Sequence, residues 1–247
     1  MPDDAPRPDP AALFAHGADR AGYVQRMFGD IAGRYDLMNA LMTGGRHHAW
    51  RRLAARALVR PGDRVLDVGC GTGDLALACR AAGARAVLAV DFAAPMLVHA
   101  RRKARRSSTG GVAVALADAT RLPCADATFD VWCAAFVVRN IPELDAALAE
   151  AARVLRPGGR LGIVEIPRLE RSWWRPFARL YFQRLVPLLG RAISGHASAY
   201  RYLPVSVDQF LSIDELSARL ARAGFAVREA RPLMLGTVAL HIAERPA

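Results

Sequence analysis

The chain has 247 residues, enough for one sizeable core, since single cores grow to roughly 250 residues before chains split. At 53% hydrophobic and 23% charged it is not a disordered tail protein. A net charge of +11 would ordinarily suggest nucleic acid or an anionic membrane. Only Lys103 among the 34 basic residues is lysine, however, so the excess reads as arginine-rich composition and nucleic acid is not an expected partner.

Residues 1–19 are rich in Pro, Asp and Ala without periodicity, and are expected to form a disordered leader before a single domain over 20–247. Asp3, Asp4 and Asp9 make this start unlike a secretory signal, and no apolar run approaches the roughly 18 residues that span a bilayer. A cytoplasmic protein is expected. From Tyr23 the apolar residues Val24, Met27, Phe28, Ile31, Tyr35, Met38, Leu41 and Met42 recur at helical spacing. They predict a helical cap over 20–58, broken at Gly44-Gly45 before a second helix from about Trp50 to Leu58.

Alternation follows. Strands are predicted at 64–68, 86–90, 112–116, 129–138 and 160–166, with helices at 74–82, 94–106 and 143–155, the last stopped by Pro157-Gly158-Gly159. Strands separated by helices predict a parallel, doubly wound α/β sheet. A helix over 213–223 and strands at 226–231 and 237–244 predict an antiparallel edge hairpin. Residues 167–211 read as a lid insertion. Its Trp173, Trp174, Leu180, Leu185 and interspersed arginines suggest cover for a greasy group or peripheral contact with the inner face of the cytoplasmic membrane. Cys70, Cys79, Cys124 and Cys133 form no CxxC pair or zinc spacing, and no metal is expected.

The strongest local signal is Asp67-Val-Gly69-Cys-Gly71-Thr72-Gly73-Asp74, after one strand and opening a helix. Alternate glycines let the backbone approach a ligand, and the helix start offers amides to a carboxylate. The spacing is GxGxG, not the dinucleotide GxGxxG, so a pyrophosphate cofactor is disfavoured. Asp91 ends the second strand, where a carboxylate can accept from two ribose hydroxyls, and Asp118-Ala119 follow the third, within reach of an adenine amine. This ordered set resembles the S-adenosylmethionine site of class I methyltransferases. The resemblance implies a Rossmann-like fold and assigns Asp67, Gly69, Gly71, Thr72, Gly73, Asp91, Asp118 and Ala119 to the cofactor.

A second block is similar to the YDxMNxxMSxGxHxxW motif of ubiquinone and menaquinone biosynthesis C-methyltransferases: Tyr35-Asp36-Leu-Met38-Asn39-Ala-Leu-Met42-Thr43-Gly44-Gly-Arg-His47-His48-Ala-Trp50. Phe136-Val-Val-Arg139-Asn140, the run from Arg153 to Glu165, Tyr200-Arg-Tyr202-Leu203 and Gly236-Thr-Val-Ala-Leu-His241 resemble further segments of that family. The resemblance implies C-methylation of a prenylated quinol, with Arg139, Tyr35, Asp36, His47 and Asn140 as candidate catalytic residues. Arg139 would stabilise a phenolate, and the proton would go to Asp118, Tyr35, Asp36, His47 or a water they hold. Departures are Thr43 and Ala135 for serines, Glu165-Ile-Pro167 for EFS, and Gly195-His196-Ala-Ser198 for GDRE. They fall partly on the lid side and leave a related small-molecule methyltransferase of a specialised pathway as the alternative. The oligomeric state is left open.

Overall fold

The computed structural model describes residues 20–169 and 197–247; the leader expected over 1–19 and the 170–196 part of the expected lid, with Trp173 and Trp174, lie outside the described residues. Three helices precede the sheet: α1 (Arg20–Ile31), α2 (Tyr35–Thr43) and α3 (Arg46–Leu58). A 3-10 turn at Ala32–Arg34 divides what apolar spacing reads as one stretch. Gly44 and Gly45 take φ of 55° and 74°, a left-handed pair that ends α2 and lets α3 begin four residues before Trp50.

The alternation then runs β1 (Arg64–Val68), α4 (Asp74–Ala81), β2 (Ala86–Asp91), α5 (Ala94–Arg106), β3 (Val112–Leu116), β4 (Phe129–Ala135), α6 (Leu144–Val154) and β5 (Leu155–Glu165). Beyond the segment left undescribed come α7 (Ala197–Asp208), α8 (Ile213–Arg222), β6 (Ala226–Leu233) and β7 (Val238–Glu244). The strand order is β3-β2-β1-β4-β5-β7-β6. The first five strands are parallel to one another, whereas β7 is antiparallel to both β5 and β6. The expected seven-stranded sheet with its antiparallel edge hairpin is therefore what forms.

Helices cover both faces, which is why β1 and β4 read as nearly unbroken apolar runs. On one face α3, α4 and α5 pack through Leu58, Leu75 and Leu97; on the other α6 and α8 pack through Leu148 and Leu220. A third cluster joins Met27 of α1 and Met38 of α2 to Met96 of α5 and Tyr202 of α7. The cap is thus seated beside the end of β2.

Two strand boundaries differ from the sequence expectation by three residues or more. β4 stops at Ala135 instead of residue 138, because Phe136 takes a φ of 63° and a 3-10 turn follows at Val138–Asn140. β5 begins at Leu155, with no gap after α6. Leu155 pairs with Phe129 and Arg160 with Val131, so residues 156–159, containing Pro157, Gly158 and Gly159, bulge out of a continuous strand and do not stop a helix.

Gly162 of β5 admits α3 against the sheet: a Cβ there would lie 2.0 Å from Leu58 Cδ1. Gly162→Ala is expected to cost about 1–3 kcal/mol through overpacking. Thermal unfolding should show a Tm lower by roughly 2–12 °C, at about 2–4 °C per kcal/mol for a domain of this size.

Candidate active site

β1 runs into the glycine loop over 69–73. Gly69 has a φ of +64°, and a Cβ on it would lie 2.2 Å from Val137 Cγ2, so only glycine lets the loop pass under the 136–140 segment. The loop is held from the end of β2. Asp91 Oδ2 accepts from Gly71 N at 2.8 Å, and Asp91 Oδ1 from Ala93 N at 2.9 Å. Cys70 N donates to Val90 O at 2.9 Å. Burial raises the Asp91 carboxyl above the usual range, while these backbone donors oppose the shift. Each Asp91 oxygen keeps a further acceptor position.

Two adjoining cavities open on the loop. The larger, about 180 Å³, is lined by Asp91, Phe92, Asp118, Ala119, Ile141 and Asn140 among others. The smaller, about 30 Å³, is walled by Phe28, Tyr35, Met96, Phe136 and Asn140 with Gly71. Gly69, Asp91, Phe92, Val137 and Asn140 face both. Asp118 Oδ1 is turned back onto Thr120, accepting from its N and Oγ1, each at 2.8 Å.

Asn140 is 5% exposed, and neither its Oδ1 nor its Nδ2 has a hydrogen-bond partner. An unsatisfied buried amide costs about 1–3 kcal/mol, so its place against both cavities calls for a ligand atom. An adenosine-bearing cofactor fits the larger cavity. Asp91 offers acceptors to ribose hydroxyls, and Phe92, Val137 and Ile141 offer apolar surface to a base.

The other expected residues separate into groups. Gly69, Gly71, Asp91, Asp118 and Ala119 line the cavities, as do Tyr35 and Asn140. Gly73 packs on α5, where a Cβ would lie 3.4 Å from Ala100 Cβ. Thr72 Oγ1 donates to Asp36 Oδ1 at 2.6 Å, so these two bind each other. Arg139 is turned to the end of β5: Nη1 donates to Glu165 Oε1 at 2.6 Å and to Phe136 O at 2.8 Å, and its backbone N donates to Glu165 Oε2 at 3.2 Å. His47 is buried in α3, with Arg51 Nη1 at 2.7 Å from its Nδ1; burial, then the Arg51 charge, lower it to about 4. Neither His47 nor Arg139 is among the cavity-lining residues.

His47, His48 and Asp74 bring ligand atoms within 4.8 Å of one another. Lys103 Nζ lies 2.6 Å from Asp74 Oδ1 and Arg51 contacts His47, so cations already belong to that cluster. Sequence reasoning overlooked Phe92, which follows Asp91 directly, and Val137 inside the Phe136-to-Asn140 block. It also overlooked Lys103, whose signal was its standing as the sole lysine.

A sheet of this order, with a β1 glycine loop pinned by the acid that ends β2, is the class I methyltransferase fold, and it is the family match that makes the chain an S-adenosylmethionine-dependent methyltransferase. The sequence model of the ubiE/COQ5 methyltransferase family matches residues 17–245, and the chain belongs to that family. A protein of Thermus thermophilus named demethylmenaquinone methyltransferase is 46% identical over 223 residues, 89% of this chain and 100% of its own length. One from Desulfotalea psychrophila, named ubiquinone/menaquinone biosynthesis C-methyltransferase UbiE, is 38% identical over 88% of each chain. Among solved structures, a SAM-dependent methyltransferase from Aquifex aeolicus matches with a TM-score of 0.60 at 22% identity, covering 84% of this chain and 96% of that one. The [4+2]-cyclase SpnF matches at 0.62 and 20%, covering 81% of each. These two likenesses concern the fold alone, which hosts more than one reaction.

Asp67 lies beneath the loop, outside both cavities. It is fully buried, and burial pushes its carboxyl up to about 7 against the pulls of Arg51 and of the Ala76 backbone amide. Between the ordinary aspartate value of 3.8 and about 7 the folded protein holds a proton that the unfolded chain has released. The stability contributed by this group is therefore full below that window and lost as pH rises through it. Denaturant titrations across the window should show this decline, and Asp67→Asn should flatten it.

Proposed function

We propose that this chain methylates a ring carbon of a prenylated quinol, as its relatives named for demethylmenaquinone and ubiquinone biosynthesis would. The observation that carries the reading is the smaller cavity: aromatic and thioether walls from Phe28, Tyr35, Phe136 and Met96, with the unpaired Asn140 amide among them. Such a lining suits a flat, electron-rich ring with a hydroxyl to anchor.

When bound, S-adenosylmethionine supplies an electrophilic methyl group, so the chain mainly has to align the acceptor, exclude water and handle one phenolic proton. In this reading Asp91 holds the ribose hydroxyls and Asp118 with Ala119 the adenine edge. Asn140 bonds the ring hydroxyl and fixes which carbon faces the donor side. Phe28, Tyr35 and Phe136 keep bulk water from the reacting carbon. Arg139 remains cationic and tied to Glu165, so it sets the 138–140 turn that carries Asn140 and does not accept the proton. His47 is neutral at physiological pH, and its Nδ1 is taken by Arg51. Asp36 has both carboxylate oxygens engaged, one by Thr72 and one by Lys103. Both residues are accordingly assigned to support of the cap.

No helix among the described residues is long and apolar enough to cross a membrane. The membrane contact expected from the lid rests on residues outside the described ones.

Labelled S-adenosylmethionine incubated with a quinol panel tests the reading. Label is expected on a ring carbon of demethylmenaquinol or a ubiquinol precursor, and faster labelling of a non-quinol acceptor would displace it. Asn140→Ala should lower quinol turnover about 10- to 100-fold, the value of one hydrogen bond of about 1.5–3 kcal/mol in a dry site. Affinity for S-adenosylhomocysteine should stay within about threefold.

A further inference from the structure

The sole lysine of the chain stands where three elements meet. Lys103 Nζ, on α5, lies 2.9 Å from Thr72 Oγ1, 2.6 Å from Asp74 Oδ1 and 2.7 Å from Asp36 Oδ2. Thr72 Oγ1, accepting from the ammonium, donates a hydrogen bond in turn to Asp36 Oδ1 at 2.6 Å. Thr72 belongs to the glycine loop, Asp74 to the first turn of α4, and Asp36 to the first turn of cap helix α2. The Lys103 side chain is 28% exposed, shielded enough for charge-assisted bonds to outweigh hydration more than on an open surface.

We propose that Lys103 is a positioning residue that clamps the cap to the glycine loop, setting how closely Tyr35 covers the methyl-transfer cavity. The chain takes arginine at every other basic position, yet the chemistry here needs an ammonium. Three acceptors converge on one atom, and the ammonium has three protons in a tetrahedral spread, one for each. A planar guanidinium carries its donors outward in a fork and cannot direct three of them to acceptors crowded around a single point.

The consequence lies in what α2 carries. Tyr35 precedes Asp36, lines the smaller cavity, and has its Cε1 3.7 Å from where a Gly71 Cβ would stand. The loop itself needs no help from Lys103, since Asp91 and the Val90 carbonyl already hold its backbone. Losing the clamp should therefore loosen the cap far more than the cofactor bed. The inference rests on the methyltransferase fold and site, not on the choice of a quinol as acceptor.

The test compares Lys103→Arg, Lys103→Met and Asp36→Asn in the full chain. Hydrogen–deuterium exchange, which needs no acceptor, should be about tenfold faster at Tyr35–Thr43 in all three, with β1, β4 and β5 unchanged. Affinity for S-adenosylhomocysteine should move less than about threefold, while kcat with demethylmenaquinol falls about tenfold or more. Asp36→Asn should add little to Lys103→Met, because both remove one clamp. The proposal is overturned if Lys103→Arg matches the unsubstituted protein, if protection is lost evenly across the sheet, or if the two substitutions add fully. A chain that turns over no quinol but shows the cap-specific exchange would retire the acceptor and keep the clamp.

Discussion

The rest of the site depends on one carboxylate. Asp91 accepts Gly71 N with one oxygen and Ala93 N with the other, so a single buried group fixes the glycine loop, the end of β2 and the approach to α5. From that point the arrangement spreads outward. The fixed loop leaves Gly69 directly under Val137, α5 brings Met96 to the cap, and the cap brings Tyr35 over Gly71. A charged side chain can do this only when its donors are backbone amides of stiff elements, which lose little entropy on pairing.

Buried polar groups around this centre divide by whether the protein satisfies them. The Arg139–Glu165 pair also engages Ile166 N and Phe136 O, leaves Arg139 Nε without a partner, and shapes the turn after β4. Phe136 accepts a left-handed φ of 63° at the same place, a strain of order 1–3 kcal/mol that the surrounding contacts must hold. The Arg51 guanidinium lies 5.0 Å from the centre of its ring. Asn140, carried by the strained turn, is left unpaired. What sets it apart from Arg139 Nε, also unpaired, is that Asn140 faces both cavities, and this is what supports the proposed binding role.

Much of the fold was legible because parallel strands write themselves as short apolar runs and the intervening helices as 3.6-residue periodicity. Boundaries failed where the backbone did something local and unusual. Phe136 reads as strand because nothing in an apolar residue announces a positive φ, and Pro157-Gly158-Gly159 reads as a stop because a bulge and a turn use the same residues. The glycine loop and the acids after β2 and β3 were visible, since their chemistry requires those residue types at strand ends. The roles of Arg139, Asp36 and His47 were not. Glu165 and Lys103 lie 26 and 67 positions from Arg139 and Asp36, so only the fold shows those two engaged, whereas Arg51 stands one helical turn from His47.

Family membership and the sheet agree on a methyl donor; in the proposed reading Asp91 holds that donor and the aromatic wall that the cap lays against it chooses the acceptor. The donor half is the more fundamental, because the cap is seated on it. Calorimetric titration with S-adenosylhomocysteine of the unsubstituted protein and of Asp91→Ala, with circular dichroism to verify the fold, reaches it most directly. The account predicts one-site binding that weakens about 100-fold or more in the folded variant, the loss of charge-assisted bonds together with the loop they hold. A folded Asp91→Ala protein that binds as tightly as the unsubstituted chain would contradict it.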